Sequence, residues 1–320
     1  MSSQTLTVLD PTSLLGREVA EHFARSWPEA RRQYFHTAGT EEHLIAEVGG
    51  EAALVPPLTD TGELGGTRAV IATAQVPPEI GSRLTGWLRA NPLVTLLDLT
   101  HPGLAPEESR LGVPPPTEPA QGRRWFKAPH PALAGPLRVI RALSPLAPVS
   151  CHLAVVVPVS EGGQDALEEL AAQGAARLSG GTPKPPNALP AVLAFDLLPG
   201  TGEAESELER QMATSTPGLQ ARVSTIHAGV FHGHVAAMHV TLGRPAREET
   251  ARALLRDADG IRVARRNERI QPSGVVGSDE VVCATLRVAG VHVSVSIVAD
   301  GLRTGALRAA ADLVELLTAS

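Results

Sequence analysis

Residues 6–26, LTVLDPTSLLGREVAEHFARS, constrain the fold more than any other stretch. A short apolar run from Leu6 to Leu9 meets a tight turn at Asp10 and Pro11. Leu15, Val19 and Phe23 then recur every four residues, which marks one face of a helix, and Thr12 or Ser13 can serve as its N-cap. Strand, tight turn and helix in this order open a βαβ unit of the dinucleotide-binding kind. The turn departs from the phosphate-binding pattern, however. A pyrophosphate needs glycines for close backbone approach and favours a positive helix end. Here only Gly16 remains, Pro11 has no N–H to donate, and Asp10 brings a negative charge. Tight binding of a dinucleotide is not expected.

Further strands are expected at 68–73 (RAVIAT) and 93–97 (LVTLL), both buried-type runs, and a poorer one at 33–36, with an amphipathic helix at 77–90. Asp98 follows LVTLL at the carboxyl end of its strand, where open α/β sheets place ligand contacts; it can equally cap a turn. Residues 103–122, rich in Pro and Glu, read as an irregular surface loop. Beyond them a short helix is expected at 136–146 and the strongest strand at 149–158. That strand leads through Ser160, Glu161, Gly162 and Gly163 into a helix at 164–178. A loop at 179–190, a strand at 191–198 and a charged helix at 203–214 follow. A helix at 247–257, a hairpin of 281–288 with 291–298 around Ala289-Gly290, and a last helix at 306–317 complete the chain. The Arg262, Arg265, Arg266, Arg269 cluster reads as a solvated face. The pattern is α/β. A Rossmann-like domain spans 1–127 and is rejoined by the C-terminal segment 303–320; an α+β domain with a mixed or antiparallel sheet spans 128–302.

The formal net charge of −6 argues against a general nucleic-acid binder. No apolar run reaches the roughly 18 residues of a membrane span, and the N-terminus lacks the basic and apolar parts of a signal peptide. A cytoplasmic protein is expected. Its two cysteines, Cys151 and Cys283, make neither a disulfide framework nor a zinc motif.

Residues 225–242, TIHAGVFHGHVAAMHVTL, hold the densest group of histidines: His227, His232, His234 and His239. They read as a strand, a bend at 229–233 and a second strand. Alternation puts His234, Ala236, Met238, Val240 and Leu242 on one face. His234 is thus a general base, a metal ligand or a hydrogen-bonded core histidine. A metal site of all four histidines lacks a carboxylate or cysteine to complete a known pattern, and no metal is expected.

The order of local segments resembles the aspartate-semialdehyde dehydrogenase family across nearly the whole chain. LDPTSLLGRE stands where that family has G-A-T-G-x-V-G, and LLDLTHP where it has D-N-S-S. VVVPVSEGGQDALEEL is similar to Y-Q-A-V-S-G-A-G and the helix after it, FDLLP to F-N-x-x-P, and HAGVFHGHVAAMHV to R-V-P-V-x-x-G-H-S. The resemblance implies an NADP-linked interconversion of aspartyl phosphate and aspartate semialdehyde in amino-acid biosynthesis. It implies a homodimer, or a heteromer with a homologue. It also implies a cysteine nucleophile, an orienting glutamine, a proton-moving histidine and a carboxylate-binding arginine, types suited to thiolate attack, proton transfer and bidentate recognition.

Carried over by position, only the histidine matches, as His234. Pro131, in APHP, takes the nucleophile's place. The glutamine falls on Val157, or on Pro158 with a shift of one, and the arginine on His227. Of the dinucleotide segments, Thr12, Gly16, Asp98 and Thr100 match or substitute fairly; Asp10 and Ser13 stand where glycines belong. Cys151, some twenty residues after Pro131 in an apolar strand, is a poor replacement. The chain therefore resembles the Usg-type paralogues, and a pseudoenzyme with a binding or partner role is expected. The alternative is an active NADP-dependent semialdehyde dehydrogenase using Cys151 or another nucleophile.

Overall fold

The computed structural model describes residues 5–40, 42–48, 51–101, 103–104, 109–113 and 124–319. Most of the expected 103–122 loop lies outside the described residues. The chain divides into two units, Met1–Pro129 with Ala306–Ser320, and His130–Gly305. The divisions expected from sequence stood at 127 and 303.

The first unit holds β1 (Thr5–Leu9), α1 (Leu14–Ser26), β2 (Arg31–Phe35), β3 (Leu44–Val48), β4 (Glu51–Val55), β5 (Thr67–Ala72), α2 (Pro78–Ala90), β6 (Thr95–Asp98), β7 (Arg110–Leu111) and β8 (Trp125–Lys127), with a C-terminal helix at Arg308–Thr318. Six strands form a parallel sheet in the order β2-β1-β5-β6-β8-β7. Its central strands are apolar on both sides because both faces are covered. Leu6, Val8, Ile71 and Leu97 pack with Val19 and Phe23 of α1 and Leu313 and Leu317 of the C-terminal helix. Leu9, Val70 and Leu96 pack with Leu84 and Leu88 of α2. The β3–β4 hairpin was not foreseen. Among the described residues it buries Ala46 and Val55 against Ala20, with Leu44 and Ala53 partly buried beside them, while Ile45 and Leu54 point outward, 74% and 64% exposed. With so little apolar surface turned inward, the pattern that marks a strand is absent from its sequence.

The second unit holds α3 (Pro131–Ala142), β9 (Pro148–Val157), α4 (Gly163–Leu178), β10 (Leu197–Pro199), α5 (Glu203–Ser215), β11 (Gln220–Ala228), β12 (His234–Leu242), α6 (Glu248–Asp257), β13 (Ile261–Val263), β14 (Val281–Ala289) and β15 (His292–Ala299). Its seven-stranded sheet runs β10-β11-β9-β12-β15-β14-β13. β9 pairs in parallel with β11 and antiparallel with β12, so the sheet is mixed. One face buries Cys151, Val155, Met238 and Val295 with Leu133 and Val139 of α3, Met212 of α5 and Leu255 of α6. The other face leaves His152, Ala154, Ala237 and His239 exposed.

Two expected elements change. The helix expected at 136–146 runs Pro131–Ala142 instead. Pro131 takes a first-turn position, where its missing N–H costs nothing. His130 caps the helix by accepting the Ala132 N–H at 3.2 Å, and Pro136 is accommodated inside it. The strand expected at 191–198 contracts to β10. The N–H groups of Leu193 and Ala194 donate to Gln173 Oε1 at 2.9 and 3.2 Å, and Phe195 adopts φ 63°. A left-handed residue and side-chain-bound amides leave no ladder for a strand to join.

Candidate functional site in the second unit

His234 opens β12 directly after Gly233, whose φ of 87° turns the chain out of the 229–233 bend. Its side chain is buried, with 5% exposed. The same bend fixes what faces it. Val159 and Ser160, in the 3-10 turn that follows β9, donate backbone N–H bonds to the carbonyls of Val230 (2.8 Å) and Phe231 (3.0 Å). This brings the next residue, Glu161, to the imidazole: Glu161 Oε1 lies 2.5 Å from His234 Nε2. The same oxygen lies 3.7 Å from His130 Nδ1. His130 is anchored in turn, its backbone N–H donating to Gln211 Oε1 at 3.0 Å, and Gln211 Nε2 donating to Glu207 at 2.9 Å.

The His234 ring sits in a fitted slot. A Cβ on Gly301 would lie 2.6 Å from its Cε1 and Nδ1 and 2.8 Å from the Pro131 carbonyl oxygen. Gly301 is therefore needed for close approach rather than for a turn. His234 Nδ1 is buried without a hydrogen-bond partner among the described residues. The arrangement is a carboxylate hydrogen-bonded to the His234 imidazole, with the His130 ring, whose Nδ1 already accepts the Ala132 N–H, beside it.

The four positions singled out by the resemblance gather at this end of the sheet. Val157 is the ladder partner of His227. The β9–β12 register, Val235 opposite Val156, brings the end of β9 alongside His234. Pro131 flanks the ring through Gly301. Cys151 does not join them. It lies opposite Val240, six residues further along β12 than His234, which at the rise of a strand is about 20 Å. It is fully buried, and burial pushes its thiol up to about 12. Cys283 is likewise buried and pushed up to about 12. Such a separation is far outside the reach of a nucleophile–base pair.

The four histidines of 225–242 do not assemble either. His239 is exposed on the opposite face of β12 and its Nδ1 lies 2.9 Å from Ser294 Oγ. Among the described residues no group of three His, Cys, Asp or Glu side chains could hold a metal ion.

In the first unit the β1–α1 turn is held by its own hydrogen bonds and by Thr37. Asp10 holds φ 57°. Its buried carboxylate accepts the Thr37 N–H (2.7 Å) and hydroxyl (2.8 Å), and desolvation raises its pKa. The Ser13 N–H donates to the Asp10 carbonyl at 3.1 Å, and the Gly16 N–H to Ser13 Oγ at 2.9 Å. A Cβ on Gly16 would lie 2.8 Å from Pro11 Cα, so helix–turn packing already requires this glycine. Thr12 is half-buried. Asp98 accepts the backbone N–H and hydroxyl of Thr100 at 3.0 and 2.7 Å, the turn-capping arrangement. Pro11 lacks a donor, the amides of Ser13 and Gly16 are engaged, and a carboxylate is buried at the strand end, all of which disfavour a dinucleotide pyrophosphate at this turn.

Sequence reasoning passed over Glu161 as a turn residue and His130 as a neighbour of Pro131. No local signal marks Glu161, because its partner is 73 residues away. The geometry that places the pair is a hydrogen-bonded bend.

A parallel α/β unit completed by the C-terminal helix, with a mixed-sheet α+β unit inserted between in the sequence, defines a two-domain α/β protein with a Rossmann-like first unit. Residues 143–304 match the family model described as semialdehyde dehydrogenase, dimerisation domain. The chain belongs to the semialdehyde dehydrogenase family. It is 29% identical over 182 residues to an aspartate-semialdehyde dehydrogenase of Shewanella violacea, covering 52% of this chain and 53% of that one. A USG-1 protein homolog of Azotobacter vinelandii is 29% identical over 194 residues, covering 55% and 57%. The chain thus spans about half the length of the curated relatives it matches. The fold extends further. Aspartate semialdehyde dehydrogenase II of Vibrio cholerae, solved in complex with ASA, superposes with a TM-score of 0.86 at 18% identity, covering 100% of this chain and 98% of that one.

Proposed function

We propose that the chain is an aspartate-semialdehyde dehydrogenase-like protein that does not run the cysteine-dependent family reaction and acts by binding a small molecule or a partner. One observation carries this reading. The slot around His234 is walled by the backbone of Pro131 and closed on Nε2 by Glu161, while both cysteines lie buried with thiols near pKa 12. A histidine without a nearby thiolate has no acyl-enzyme to serve. The buried Asp10 carboxylate and the missing N–H of Pro11 in the β1–α1 turn argue against NADP.

The match to a dimerisation domain and the open sheet face around His152 and His239 favour a homodimer, or a heteromer with an active homologue. A cytoplasmic site fits this role. No helix among the described residues is long and apolar enough to cross a membrane, and the net charge of −6 does not favour nucleic acid. The deciding assay is phosphate-dependent reduction of NADP with aspartate semialdehyde, alongside a calorimetric titration with NADP and NAD. The expected result is no turnover and no saturable dinucleotide binding. Turnover by the purified chain overturns the reading.

A further inference from the structure

We propose that Glu161 is a built-in carboxylate ligand. It occupies a pocket at the Nε2 edge of His234, flanked by the His130 ring, and the vacated pocket takes a small external monocarboxylate. The proposal rests on the non-catalytic reading above and gives the site a ligand class. The occupant already in place defines the fit. One carboxylate oxygen stands 2.5 Å from His234 Nε2 and 3.7 Å from His130 Nδ1.

The walls that hold this oxygen are fixed without Glu161's side chain. The His234 ring is wedged between Gly301 and the strand. His130 is pinned by its bond to Gln211 and by the start of α3. The turn bearing Glu161 is anchored by backbone bonds from Val159 and Ser160 to the 229–233 bend. Removing the side chain therefore leaves a shaped, partly desolvated space with an imidazole donor at its end. Charge-assisted bonds of this kind favour a carboxylate over a neutral ligand. The pocket is not sealed, since the Glu161 and His130 side chains are 19% and 21% exposed, so a ligand of two or three heavy atoms can reach it. Glu161 also stands at the first glycine of the S-G-A-G pattern to which PVSEGG was likened. The plug is thus a side chain added to a turn whose backbone does not depend on it.

The test compares wild type, Glu161→Gly, Glu161→Ala and Glu161→Gln, with acetate as the probe and sodium chloride at matched ionic strength as the control. Histidine ring NMR and thermal melting are the readouts. Glu161→Gly and Glu161→Ala are expected to bind acetate saturably, with a shift of the His234 ring resonances. Their Tm should rise by about 2–4 °C at ten times Kd. Wild type and Glu161→Gln, whose pockets stay filled, are expected to show no saturable shift. If Glu161→Gly melts before titration, Glu161→Ala, which keeps the backbone less free, answers the same question. Acetate binding as strong to wild type as to the truncated variants overturns the proposal. So does a folded truncated variant with no response. Wild-type NADP reduction in the assay above overturns the non-catalytic reading instead, whatever acetate does.

Discussion

Cys151 separates a core thiol from a reacting one. Burial pushes its pKa up to about 12, so the thiol stays protonated at pH 7. An ordinary cysteine, with a pKa of about 8.5, carries far more thiolate at that pH. The side chain is fully buried among Val155, Met238 and Val240 on the helix-covered face and behaves as a small hydrophobe. Replacing it with alanine deletes one buried sulfur, so Cys151→Ala should cost about 1–2 kcal/mol. Urea melts of the variant and the wild type measure this directly. Iodoacetamide labelling read by mass spectrometry supplies the second arm. Both cysteines should stay unmodified in the native protein over a time in which the urea-unfolded chain is fully alkylated. Rapid native labelling of Cys151 would refute the argument. So would an activity in the wild type that Cys151→Ala abolishes while leaving the protein folded.

Three further outcomes follow from individual contacts. Burial raises the pKa of Asp10, so the folded state holds this proton more tightly than the unfolded chain. Its contribution is fully present below the unfolded value near 3.8 and is lost as pH rises through the folded value; Asp10→Asn should gain stability relative to wild type over that rise in urea melts at stepped pH, and a constant difference would contradict this. Gln173→Ala strips the acceptor from the N–H groups of Leu193 and Ala194 and should cost about 2–4 kcal/mol, with hydrogen exchange at those two amides accelerated more than elsewhere in the unit; unchanged exchange would rule out this bond as the anchor of the turn. Gly301→Ala drives a Cβ to 2.6 Å from the His234 ring and should cost about 1–3 kcal/mol while displacing the His234 resonances; an unperturbed ring spectrum would show that the slot is looser than described.

Local pattern alone determined much of this protein. Leu15, Val19 and Phe23 declare α1, and the runs within 67–72 and 95–98 declare β5 and β6. These elements bury continuous apolar faces, and such faces are visible in the order of residues. The strand beginning at His234 was legible for the same reason, because Ala236, Met238, Val240 and Leu242 alternate onto one side.

Tertiary structure decided what surrounds His234. Glu161, His130 and Gly301 come from three separate parts of the chain, and each in isolation reads as a turn or a helix start. Only the bonds from Val159 and Ser160 to the 229–233 bend bring the carboxylate to the imidazole. Tertiary contacts also turned residues 191–196 from an expected strand into a loop, because Gln173 captures their amides from α4. A sequence displays periodic burial, which is local. It does not display which polar groups satisfy one another across 73 positions, because hydrogen-bond partners are chosen by the folded backbone.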